Sequence, residues 1–93
     1  MRNHVKTAAS QAAQFAEITK NLIRIGHIRR AKKCLDMAEL LFTTGSNETK
    51  NAIGNIYLNS VSTFMELRNA TVSNLFPPAL KKEYVTQVNA SGV

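Results

Sequence analysis

Apolar residues along this chain recur at steps of three and four and form four stretches, which glycine and proline separate. From about Val5 to Ile25 they include Ala8, Ala12, Phe15, Ala16, Ile18, Leu22 and Ile23, one side of an amphipathic helix. Gly26 closes the stretch, as a glycine does where a helix ends in a left-handed residue. From Ile28 to Thr44 the same period runs through Ala31, Cys34, Leu35, Ala38, Leu41 and Phe42, and Gly45 stops it. The connection at Gly26-His27 is so short that the first two helices must be antiparallel neighbours.

The third stretch starts with Ser46 or Asn47 as N-cap and Glu48 in the first turn, and is expected to run to about Ala70. Its stripe reads Ile53, Ile56, Tyr57, Val61, Phe64 and Leu67. Gly54 costs up to about 1 kcal/mol inside a helix relative to Ala, and its presence suggests that another helix comes close. Pro77-Pro78 then forces a break, because the residue before a proline avoids the helical region while proline suits a first turn. A short fourth helix is predicted from Pro78 to about Ala90, with Leu80, Tyr84 and Val88 on one face. Leu80 and Tyr84 are expected to be buried.

No stretch alternates as a strand would, so the fold class is all-α: a helical hairpin, a long third helix and a short C-terminal capping helix, in a single domain over residues 1–93. Ninety-three residues with 44% hydrophobic and 19% charged positions suit one modest core. Apolar runs fall far short of the roughly 20 residues that cross a bilayer, and the N-terminus makes a poor signal peptide. No membrane association is expected. The single cysteine, Cys34, cannot form an internal disulfide and fits a reducing, cytoplasmic setting.

Phe15, Ile18, Leu22, Gly26, Ile28, Ala31, Leu35 and Ala38 together resemble the tetratricopeptide repeat, with small residues on the second helix that let the first lie close. Thirty-five residues on, Ile53, Gly54 and Tyr57 resemble the first helix of a second copy, a spacing close to the repeat's period. The string then departs from the pattern, since no glycine turn follows Tyr57. The stretch Pro78-x-Leu80-x-x-Glu83-Tyr84-x-x-Gln87 is similar to the ends of small uncharacterised bacterial proteins, which would imply a domain of unknown function.

The formal charge is +6. Lys20, Arg24, Arg29, Arg30, Lys32 and Lys33 lie between Glu17 and Asp36 with no acid among them, either as a solvated hairpin end or as an anion site. Two features argue against nucleic acid as its partner. Lys32 and Leu22 spoil a helix-turn-helix reading, and the cluster lacks aromatic residues for base stacking. Asn51, Asn55 and Asn59 form a row at i, i+4 and i+8. Asparagine is a mediocre helix former, so propensity does not account for the row. The tetratricopeptide resemblance implies that first helices of successive repeats line a groove. Lys20 and Arg24 would then face Asn51, Asn55 and Asn59 across it, suiting an extended, acidic or carboxylate-ended peptide.

No nucleophile, acid–base pair or phosphate-binding loop stands out. His4 and His27 have no ligand at metal spacing, and no cofactor is implied. The expected function is a non-enzymatic protein- or peptide-binding module. The alternatives are a structural or oligomerisation role, with a homodimer possible, and nucleic-acid binding through the Lys20–Lys33 cluster.

Overall fold

A computed structural model describes residues 7–67 and 75–92, with side chains to residue 88. Among the described residues there are four helices and no strand: α1 (Ala8–Arg24), α2 (Ile28–Thr44), α3 (residues 47–67) and α4 (Pro78–Gly92). The first helix starts at Ala8, later than the expected Val5, because Thr7 is extended and caps it; the expected end of the third helix at Ala70 lies outside the described residues.

Local chemistry fixes the helix ends. Thr7 Oγ1 accepts the Ser10 N–H at 3.0 Å and caps α1. Gly26 takes φ +86°, and the chain around it forms a Schellman turn. The His27 N–H reaches the Leu22 carbonyl at 2.8 Å and the Gly26 N–H that of Ile23 at 3.1 Å. Ser46 Oγ accepts the Thr49 N–H at 3.2 Å, with Glu48 in the first turn of α3. All but the Thr7 cap follow the sequence reading.

The hairpin closes tightly because Ala16, Ala31, Leu35 and Ala38 are all fully buried. Small residues on α2 let α1 approach. α3 then lies parallel to α1: Ala8 shares a cavity with Thr49 and Ala52, Thr19 is hydrogen-bonded to Tyr57, and Lys20 shares a depression with Ser60 and Phe64. Where a Cβ on Gly54 would stand, the Phe42 ring edge is only 3.1 Å away, so α2 makes the close approach that this glycine suggests.

One feature of α3 differs from expectation. Residues Ile53–Tyr57 form a π-helical turn within it, closed by the Leu58 N–H on the Ile53 carbonyl. The inserted residue moves the buried stripe one position along the chain. Burial falls on Ala52 and Ile53, then Tyr57 and Leu58, then Val61, Ser62 and Met65. The expected Ile56 and Phe64 are only half-buried, and Leu67 is 81% exposed.

α4 packs against α2 and α3. Leu80 is fully buried, Tyr84 is half-buried with its hydroxyl donating to the Glu66 carboxylate, and Val88 is exposed. The start of α4 has a cap that is remote in sequence. Pro77 offers no capping side chain, and the Glu39 carboxylate on α2 accepts from Ala79 N at 3.0 Å and Leu80 N at 3.0 Å. A negative charge there also suits the positive helix end. Glu39→Ala is therefore expected to lower the unfolding free energy by about 1–2 kcal/mol and Glu39→Gln by about half as much. Urea denaturation checks this, and wild-type stability for both variants would contradict it.

Candidate functional site

The seam between α1 and α3 is held from inside by a polar contact. Tyr57 has no solvent exposure, and its ring stacks on Phe15 with centroids 5.0 Å apart. Its hydroxyl lies 2.8 Å from Thr19 Oγ1. The Thr19 hydroxyl has one hydrogen, and it is given to the Phe15 carbonyl at 3.0 Å. Tyr57 is thus the donor and Thr19 Oγ1 its acceptor. Burial pushes the Tyr57 hydroxyl well above its ordinary value near 10, the bond to Thr19 lowers it in part, and Cys34 raises it further.

On the solvent side of this seam the Asn row is exposed at all three positions. Asn51 and Asn55 border a depression with Thr7 and Ala9. They also border one on their other flank with Phe42, Lys50 and Glu83. Asn59 shares a depression with Lys20, Ser60, Thr63 and Phe64. Lys20 and Asn59 therefore border the same depression. Lys20 is also ion-paired to Glu17 at 2.7 Å. Arg24 is exposed and donates to Asn21 Oδ1 at 3.0 Å within its own helix. Asn51 and Asn55 lie further along the seam, toward the start of α1.

Thr63 and Ser60 were not legible as site residues, although Thr63 continues the four-residue spacing of the Asn row. Gln87 was missed too. Its Nε2 donates to the Gly54 carbonyl at 2.9 Å and to Glu83 Oε2 at 2.9 Å, which ties α4 to the wide turn of α3.

Arg29, Arg30, Lys32 and Lys33 are exposed on α2, and none takes part in an ion pair among the described residues. Cys34 is free and half-buried, as a small residue at a helix contact would be. Among the described residues no group of three or more His, Cys, Asp or Glu could hold a metal ion. None of their helices is long and apolar enough to cross a membrane.

On the other flank of α1, between Phe15, Met37, Leu41, Ala12, Ala52 and Ile53, lies an apolar cavity of about 320 Å³.

Because Tyr57 stays protonated in the folded protein while an unfolded tyrosine ionises near pH 10, stability is unaffected by this group at lower pH. It falls as pH rises past about 10, by at most about 1.4 kcal/mol per pH unit. Tyr57→Phe is expected to remove this part of the alkaline slope. Urea midpoints measured from pH 8 to 11 test it, and parallel curves for the two proteins would contradict it.

Residues 2–90 match the model of a family described as "Domain of unknown function (DUF7674)". No curated protein and no solved structure matches the chain.

Proposed function

The chain belongs to that family, and we propose that it serves as a non-enzymatic, cytoplasmic protein-binding domain that holds an extended acidic peptide along the α1/α3 seam. The observation that carries this reading is the one depression that Lys20 and Asn59 both border, with the exposed Asn51 and Asn55 further along. α1 and α3 are parallel neighbours, as the first helices of successive tetratricopeptide repeats would be.

A peptide carboxylate beside Lys20 would gain a charge-assisted hydrogen bond in exchange for the cation's exposed partner Glu17. The Asn amides offer donor and acceptor together, so they hold a peptide backbone with little demand on its sequence. Arg24, one turn from Lys20, adds positive field at the same end. The chain's net charge of +6 favours acidic segments and speeds their encounter.

Fluorescence polarisation with a set of labelled Asp/Glu-rich peptides tests the site. Lys20→Ala is expected to weaken the best binder about tenfold, and Asn59→Ala about threefold. Arg24→Ala should weaken it more than Arg30→Ala does. Lys32→Ala removes the same charge from the other helix and is expected to change affinity less than about twofold. Equal losses from Lys20→Ala and Lys32→Ala would mean that the attraction is a general field, with no site at the seam.

A further inference from the structure

The outer face of the α1/α2 hairpin carries apolar residues that the core covers only in part. On α1, Phe15, Ile18, Leu22 and Ile25 recur at steps of three, four and three, beside the buried row Ala12, Ala16, Thr19 and Ile23. Steps of this kind make a narrow seam suited to another helix. Phe15 and Leu22 are half-buried against the hairpin, whereas Ile18 and Ile25 are 53% and 56% exposed. α2 answers with Cys34, Met37 and Leu41 at the same steps, and Met37 is 50% exposed. The helices are antiparallel, so Phe15 comes beside Met37 and Leu41, and these three line the 320 Å³ cavity at the open end of the hairpin. An apolar strip thus runs from the hairpin tip and ends in a pocket with room for a large apolar side chain, the arrangement that anchors protein partners.

The charges around the strip say what covers it. By helical position, Arg30 and Lys33 lie along its α2 edge and Gln14, Glu17 and Asn21 along its α1 edge. The one acid among these, Glu17, is ion-paired to Lys20, whereas neither Arg30 nor Lys33 is ion-paired among the described residues. A second copy of the chain would bring from its own strip only Glu17, already paired to Lys20, and each copy carries +6. A helix with acidic flanks would supply both the apolar seam and the missing charge.

We propose that this face docks an amphipathic helix of an acidic protein partner, with one large apolar side chain of that helix seated between Phe15, Met37 and Leu41. The surface lies on the opposite flank of α1 from the Lys20–Asn59 seam and acts independently of it.

The test uses the full chain and a synthetic helical peptide of about three heptads, with Leu at the seam positions and Glu beside them. Controls are a scrambled peptide of the same composition and a version with Lys in place of Glu. The acidic amphipathic peptide is expected to bind at least about tenfold more tightly than either control. Ile18→Ser and Met37→Ser should each weaken it about fivefold or more, and charge reversal at Arg30 and Lys33 should do the same. Lys20→Ala should leave this binding unchanged, which separates the two surfaces. Ile18 and Met37 are surface positions, so both variants should keep the wild-type circular dichroism and melt, and backbone amide shifts on peptide binding give a readout without any variant. Equal binding of the scrambled peptide, or shifts confined to the Lys20–Asn59 seam, would overturn the proposal. So would a homodimer that Ile18→Ser dissociates, or binding to anionic vesicles that the same variants abolish while the peptide fails to bind.

Discussion

The hydroxyl of Tyr57 is buried among apolar side chains, and burying a polar group without a partner would cost more than the ring gains. Thr19 resolves this by turning its own hydrogen to the Phe15 carbonyl and presenting Oγ1 to Tyr57. Two side chains on different helices are thereby fixed at one height along their shared seam, with the Phe15 ring stacked above. Apolar contacts alone would tolerate a slide of one helix along the other. A single buried hydrogen bond does not, because any slide leaves it unmade. The parallel register of α1 and α3 depends on it, and so does the placing of Lys20 and Asn59 at one depression.

The wide turn at Ile53–Tyr57 serves the same register from the other side. Glycine at position 54 lets Phe42 close over the turn, and the Gly54 carbonyl is available to Gln87. The inserted residue brings Tyr57 and Leu58 into the core together. α4 is then tied to this unit by polar contacts at both ends of its described side chains: Glu39 at its first N–H groups, and Glu66 and Gln87 further along. A short core is thus supported by a few long-range hydrogen bonds between helices that sequence separation makes distant.

The sequence showed what depends on local chemistry. Helix ends at Gly26 and Ser46, the hairpin, and the break at Pro77-Pro78 each need only a residue and its near neighbours. The close approach at Gly54 was legible because a mid-helix glycine has few other reasons. The displaced stripe was not legible: a period of 3.6 fits Phe64 and Leu67 as well as any pattern, and only tertiary packing selects the wider turn that exposes Leu67. The Glu39 cap was hidden for a different reason, since it spans forty residues. For the candidate site, the Asn row and Lys20 could be named from spacing. That Arg24 turns to Asn21, and that Phe15 and Met37 share a cavity on the opposite flank, required the geometry of the folded hairpin.

Thr19 and Tyr57 act as one unit in this fold. A double-mutant cycle with Thr19→Val and Tyr57→Phe, read as unfolding free energies in urea, measures that directly. Thr19→Val should cost more than Tyr57→Phe, because it strands a buried hydroxyl, and the double variant should cost less than the sum of the two by about 1 kcal/mol or more. Additive losses would contradict the claim and leave the helix register to apolar packing alone.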